Sequence, residues 1–179
     1  MHTFKLPCYP LDQVHIALYI NIKNIQYIKN LVVSGDLGFQ CAFIDASTII
    51  SFYQILAAVH NSIRNHKENE LRTKNIYSEI IYSLSSTLSI IDAFENFGIT
   101  DKTEHLIIIK IGGNKEQVEK DLKEIINGTE IEPNDSNIEK ISDMIKIYKN
   151  YKLSENKKYE DSTEIIKIIL SSMAMKSVI

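Results

Sequence analysis

Apolar residues recur along this chain with two different periods. Val14, Ile16, Leu18, Ile20 and Ile22 alternate with a set that includes His15, Tyr19 and Asn21, a period of two that predicts a strand with the two sets on opposite faces. After Asn21 the period lengthens: Ile22, Ile25, Ile28 and Val32 sit at helical intervals and stop at Ser34-Gly35-Asp36, a turn signal. The burst Cys41-Ala42-Phe43-Ile44, closed by Asp45, is short enough for a buried strand. Phe52, Ile55, Leu56, Val59 and Ile63 then give the clearest amphipathic helix, with Asp45 or Ser47 available to cap it. The polar segment 66–74 turns the chain into a second helix over 76–84, which Ser85-Ser86 ends.

Ser89 opens a further helix, with Asp92 placed to close a capping box and Gly98 where a left-handed C-terminal cap is expected. Residues 106–111 predict a strand ended by Gly112-Gly113, and Val118, Leu122, Ile125 and Ile126 a helix with a charged outer face. Ile131 fits a short edge strand. Helical spacing returns at Ile138, Ile141, Ile145 and Tyr148. A charged loop over 154–161 precedes a last helix holding Ile165, Ile166, Ile168, Ile169, Leu170 and Met173. The elements do not keep a strand–helix–strand rhythm. They predict an α/β mixed (α+β) fold: a small, mostly antiparallel central sheet of about four to five strands packed by about seven to eight helices, in a single domain over 1–179.

Composition narrows the function classes. The 179 residues are 44% hydrophobic, with 6 glycines and 3 prolines, which excludes a collagenous, low-complexity or disordered chain. A formal charge of −3 gives no global attraction to nucleic acid, so any such contact needs a local patch. Cys8 and Cys41 have no metal or redox spacing and read as buried small hydrophobes in a reducing compartment. No charged-then-apolar leader opens the sequence, and no apolar run approaches the roughly 20 residues of a membrane span. The expectation is an intracellular soluble protein that leaves the sequon Asn127-Gly128-Thr129 unused.

Catalytic chemistry has little to stand on. The five histidines are scattered, Gly112-Gly113-Asn114-Lys115 reads as a turn after a strand, and the acidic residues of 116–124 alternate with lysines on a solvated face. No enzyme activity, cofactor or metal is expected. The segment 64–75 is more suggestive, because it carries Arg64, Lys67, Arg72 and Lys74 and so both arginines of the chain. An arginine presents a planar fork to phosphate. Glu68 and Glu70 balance these charges, and an ordinary exposed loop is the other reading. The last helix has more apolar residues than one stripe can hide. It predicts either a partner that covers the excess or a helix buried all round.

Taken together, several of these segments resemble the kinase-binding subunit of the KEOPS (EKC) complex, the TPRKB-like or PRPK-binding protein family. The resemblance runs through Ile22-Lys23-Asn24, Phe52-x-Gln54-Ile55-Leu56-x-Ala58, Arg72-Thr73-Lys74 and Ser78-Glu79-Ile80-Ile81. It continues in Ser89-Ile90-x-x-Ala93-Phe94-x-x-Phe97-Gly98-Ile99 and Tyr151-Lys152-Leu153-Ser154, and closes with the apolar C-terminal helix. Asn150 departs from it, standing where a hydrophobic residue is usual.

The resemblance implies a small non-catalytic α/β domain in the nucleus and cytoplasm. Such a domain binds the N-terminal lobe of an atypical PRPK-type kinase/ATPase and, through it, meets the transferase that places threonylcarbamoyl on the adenosine beside the tRNA anticodon. It also implies support of the tRNA acceptor end and a link to telomere maintenance and transcription. On this chain, Ile165, Ile168, Ile169 and Met173 are the kinase-facing candidates. Arg64, Arg72, Lys74 and Asn75 are the tRNA candidates. The rival readings are a free-standing RNA-binding module and a small α/β enzyme with an unidentified pocket.

Overall fold

The computed structural model describes residues 1–36, 38–154, 159 and 161–176. Among them, eight α-helices and five antiparallel strands give the α+β mixed fold that the periodicity predicts. The chain forms two compact units, Met1–Ala46 with Ile99–Pro133, and Ser47–Gly98 with the described part of Asn134–Ile179. No helix among the described residues is long and apolar enough to cross a membrane.

The first unit holds the sheet: β1 (His2–Leu6), β2 (Tyr9–Ile20), β3 (Ala42–Asp45), β4 (Leu106–Ile111) and β5 (Thr129–Ile131), with α1 (Ile25–Ser34) and α5 (Lys115–Ile125). The strand order is β1-β2-β4-β3. Leu18 and Tyr19 pair with both β4 and β5, so β5 shares with β1 the other edge of β2. Ala17, Tyr19, Phe43, Leu106 and Ile108 project to one face and pack with Ile28 of α1 and Val118 and Leu122 of α5. Val14, Ile16, Leu18, Ile44, Ile107 and Ile109 project to the opposite face and are buried as well.

Both faces of β2 are buried along its second half. Tyr19 is a core residue, and His15 is only 1% exposed. The His15 ring is satisfied by the Thr3 hydroxyl, 2.8 Å from Nδ1, and the Gly113 carbonyl, 3.2 Å from Nε2. Thr3 belongs to β1, an element that the alternation does not predict. Gly35 ends α1 at φ 78°, the left-handed cap that the turn signal requires. Cys8, expected to be buried, is exposed. Cys41 is half-buried, and burial pushes its thiol up to about 12, against the opposing pull of Lys110.

The second unit is helical: α2 (Phe52–Lys67), α3 (Ile76–Leu84), α4 (Ile90–Phe97), α6 (Asp135–Ile141), α7 (Met144–Asn150) and α8 (Ser162–Lys176). α2 packs on α3 and α8, and α3 on α4. Ser51 caps α2, its hydroxyl accepting from the Gln54 N–H at 3.3 Å, in place of the expected Asp45 or Ser47. Ser89 caps α4 as predicted. Gly98 does not adopt the expected left-handed cap; it is extended, at φ −76° and ψ 179°. Its need for glycine is steric, because a Cβ there would lie 2.6 Å from the Phe94 carbonyl oxygen. The helical run over 138–148 divides in two, since Asp143 caps α7 by accepting from the N–H groups of Ile145 and Lys146. Of the charged loop expected over 154–161, residues 155–158 and 160 lie outside the described residues.

A buried polar chain ties these helices together. The Gln54 side chain accepts from the Ile50 N–H at 3.0 Å and donates to the Tyr151 hydroxyl at 2.8 Å. That hydroxyl donates to the Leu84 carbonyl at 2.5 Å, while the Tyr151 ring packs edge-on against Phe97 at 5.8 Å. Burial raises the Tyr151 pKa, so the phenol stays neutral and donates. Beside it Asn150 replaces the usual hydrophobic residue and is 9% exposed, its amide donating to the Asn96 carbonyl at 3.2 Å. Tyr151→Phe would leave the Gln54 amide and the Leu84 carbonyl without this partner. A loss of about 1–3 kcal/mol in unfolding free energy is expected, read from urea denaturation followed by circular dichroism.

Candidate functional site

The last turn of α2 carries Arg64 and Lys67, cations that suit the negative end of a helix dipole, and His66 beside them. Asn69 then takes a left-handed φ of 57° and turns the chain back toward α3. The loop that follows is held largely from α3. Glu79 is fully buried, and its Oε2 accepts from the Arg72 N–H at 3.1 Å, the Thr73 N–H at 3.0 Å and the Thr73 hydroxyl at 2.8 Å. Its Oε1 accepts from the Asn65 amide at 3.0 Å. Asn75 caps α3, its Oδ1 accepting from the N–H groups of Tyr77 and Ser78.

Between α2, this loop, α3 and the last turn of α8 lies a cavity of about 400 Å³. Arg64, Arg72 and Lys176 supply its cations, Glu70 and Glu79 its carboxylates, and Tyr82, Leu88 and Met173 an aromatic and aliphatic wall. Arg64 is only lightly engaged, with Nη2 donating to Asn65 Oδ1 at 3.3 Å and Nε 3.8 Å from Glu68 Oε2. Lys176 stands over the Tyr82 ring, Nζ 3.1 Å from its centroid, and donates to the Tyr82 carbonyl. Burial lowers the Lys176 pKa to about 7, against the opposing pull of the Glu79 carboxylate.

Such a site can take an anionic group beside a flat or aliphatic one. Paired arginines grip phosphate oxygens, and the Tyr82–Met173–Leu88 wall offers surface to a base or sugar. Among the described residues no group of three or more His, Cys, Asp or Glu side chains is placed to hold a metal.

Two of the four RNA candidates, Arg64 and Arg72, meet at this cavity. Lys74 is exposed beside it and does not line it, and the Asn75 side chain is engaged as a helix cap. Periodicity does not identify Glu79, Tyr82 or Lys176. A carboxylate on the apolar face of α3 is a local signal for the first, but Lys176 lies 94 positions from Tyr82 and only folding brings them together.

The partner-facing candidates need correction. Ile165, Ile169 and Met173 are 6%, 0% and 2% exposed, an i, i+4, i+8 stripe buried as α8 lies along α2. Ile168 is half-buried with Ile166 and Leu170, and Met175 is exposed. The excess apolar surface of α8 therefore lies beside the buried stripe and not on it.

Glu79→Gln keeps the size of the side chain but replaces an all-acceptor carboxylate with an amide that can accept at one end only. A loss of roughly 2–3 kcal/mol is expected from calorimetric melting, with faster proteolysis in the loop 68–75 as the local readout.

The chain is similar to known proteins over most of its length. The chain is 37% identical over 158 residues to the EKC/KEOPS complex subunit cgi121 of Aspergillus fumigatus, covering 86% of this chain and 84% of that one. It is 31% identical over 174 residues to the subunit of the same name from Schizosaccharomyces pombe, covering 96% and 97%. The Candida albicans subunit CGI121 is 36% identical over 172 residues, covering 86% and 85%. The family described as kinase binding protein CGI-121 matches residues 19–177, and the chain belongs to that family.

Proposed function

We propose that this protein is a non-catalytic subunit of a KEOPS-type (EKC) assembly. It binds the atypical kinase/ATPase subunit and holds the acceptor end of tRNA for threonylcarbamoyladenosine modification. The observation that carries the reading is the gathering of both arginines of the chain and Lys176 around one cavity, in a chain of the CGI-121 family. Relatives named as EKC/KEOPS subunits support the assembly, and the family description supports the kinase. The transferase is reached through the kinase.

The cavity suits the end of an RNA chain for a physical reason. Phosphate contacts supply affinity without reading sequence, and a wall of Tyr82, Met173 and Leu88 accepts any base face. A grip of that kind serves every tRNA alike. Lys74, exposed at the end of the same loop, extends the cationic surface toward the next phosphates.

For the kinase, α8 offers half-buried Ile168 on one flank of its buried stripe and Ile166 and Leu170 on the other. Ile168→Glu is expected to abolish co-purification of the kinase subunit while the melting temperature stays within a few degrees of the parent. Undiminished kinase recovery would remove α8 from the interface. For RNA, Arg64→Glu with Arg72→Glu should weaken tRNA binding at least tenfold in filter-binding assays. It should also flatten the dependence of log K on log salt by roughly 0.7 for every phosphate that the variant no longer neutralises. Identical salt slopes for parent and variant would exclude the cavity as the RNA site.

A further inference from the structure

Four of the large apolar side chains left exposed fall within positions 88–94: Leu88, Ile90, Ile91 and Phe94. This is the densest such group among the described residues. Leu88 precedes the Ser89 cap of α4, and the other three lie on the helix. Ala93 and Phe97, at i, i+4 spacing, form the stripe that α4 buries. Ile91, three residues ahead of Phe94 and four ahead of Glu95, belongs to the outward side and is 70% exposed. A short helix that buries one stripe and leaves an isoleucine and a phenylalanine outside it carries apolar surface that its own unit does not use.

The charges of this patch have one sign. α4 offers Asp92 and Glu95, both exposed, and no cation. Residues 75–101 contain no lysine, arginine or histidine, in a chain with 20 lysines and arginines. An acidic rim repels phosphate, which sends RNA to the arginines of the cavity and leaves α4 to protein. A second copy docked patch to patch would set carboxylates against carboxylates. An aliphatic protein face bordered by lysine or arginine meets no such cost. Size points to the same partner as α8. A stable contact buries about 800 Å² on each side, and Ile166, Ile168 and Leu170 of α8 are half-buried and divided between two flanks, too little for such a contact alone. Leu88 and Met173 line one cavity, so the start of α4 and the last turns of α8 are neighbours within the helical unit, and one footprint reaches both.

We infer that the kinase-type partner also seats on α4, with an aliphatic face over Leu88, Ile91 and Phe94 and with lysines or arginines against Asp92 and Glu95. This rests on the reading of the chain as a kinase-binding subunit and extends the contact beyond α8. Burial of the apolar residues supplies affinity, and the carboxylates orient the partner and speed its approach.

The test is binding of the purified kinase subunit to the full chain, followed by biolayer interferometry at low and high salt. Ile91→Arg sets a cation against a cationic border at a position that the fold does not bury, and should weaken binding about tenfold or more. Asp92→Lys with Glu95→Lys should weaken it several-fold at low salt. The parent should bind less tightly as salt rises from about 50 to about 500 mM, whereas the double variant should not. Melting curves establish that the variants fold. In the parent complex the amides of α4 should exchange with deuterium more slowly than in the free chain, a readout that needs no variant. Kinase binding that neither variant weakens, with α4 exchange unchanged, overturns the inference and leaves the kinase reading standing on α8. Loss of tRNA binding in place of kinase binding, or a parent dimer that Ile91→Arg dissociates, gives the patch to RNA or to a second copy and overturns it as well. Absence of kinase binding by the parent at either salt overturns both the inference and the reading beneath it.

Discussion

Glu79 has no access to water, and a carboxylate so placed must find all its partners in the protein. It finds them in Asn65 at the end of α2 and in the backbone and hydroxyl of the loop ahead of α3. Two of the four donors are main-chain N–H groups, so the path of residues 72 and 73 is set by this carboxylate and not by any propensity of their own. Arg72 is displayed at the cavity because its backbone is pinned beneath it. The cavity itself is what remains when α2 and α3 are held together below by Glu79 and the last turn of α8 closes the side. Removing one partner of a buried charge costs far more than the pair contributes, which makes the carboxylate a constraint rather than a mere contact.

The same logic of enclosed polar groups runs through the rest of the helical unit. Gln54 and Ser62 lie on the buried stripe of α2, where a sequence reader looks for apolar residues. Gln54 fixes Tyr151 at the end of α7, and the Ser62 hydroxyl meets that of Ser83 on α3 at 3.3 Å. Apolar packing alone tolerates sliding of one helix along another, but a satisfied hydrogen-bond chain has one registry. In the sheet unit the registry is already set by backbone pairing of β2 against β4 from Val14↔Ile111 to Tyr19↔Leu106, and buried polar contacts such as Thr3–His15–Gly113 add to it.

What is legible in the sequence follows from this division. Elements declared by local periodicity or capping chemistry, such as α2, β4, the Ser89 cap of α4 and the Gly35 end of α1, can be read directly. Others depend on a distant partner. β1 is a short edge strand with mostly exposed side chains, and its identity lies in pairing with β2. The division of residues 138–148 into α6 and α7 follows from Ser142, whose hydroxyl lies 2.6 Å from the Ile49 carbonyl, and from the Asp143 cap beside it. At the site, Arg64 and Arg72 are visible because they are near each other in sequence and are the chain's two arginines. The cation from α8 is not, since nothing near residue 176 refers to residue 82. The apolar excess of α8 is plain in the sequence, but its division between core and surface is not: without knowing which side lies along α2, Ile168 and Ile169 look alike.

A chain with a formal charge of −3 is an unpromising holder of an anion until the range of the field is considered. At physiological ionic strength, charges more than about 8 Å apart through solvent are largely screened from each other, so acidic residues elsewhere on the surface count for little at the cavity. What counts there is three cations against two carboxylates, one of which, Glu79, is turned inward to its own donors. The local balance favours phosphate while the global one discourages indiscriminate binding to nucleic acid. The use of arginine agrees with this division of labour. The chain places both its arginines at the cavity, where a fixed fork is useful, and leaves the rest of its surface to lysine. On the proposed reading, a grip this small becomes effective when neighbouring subunits hold the same RNA and raise its local concentration.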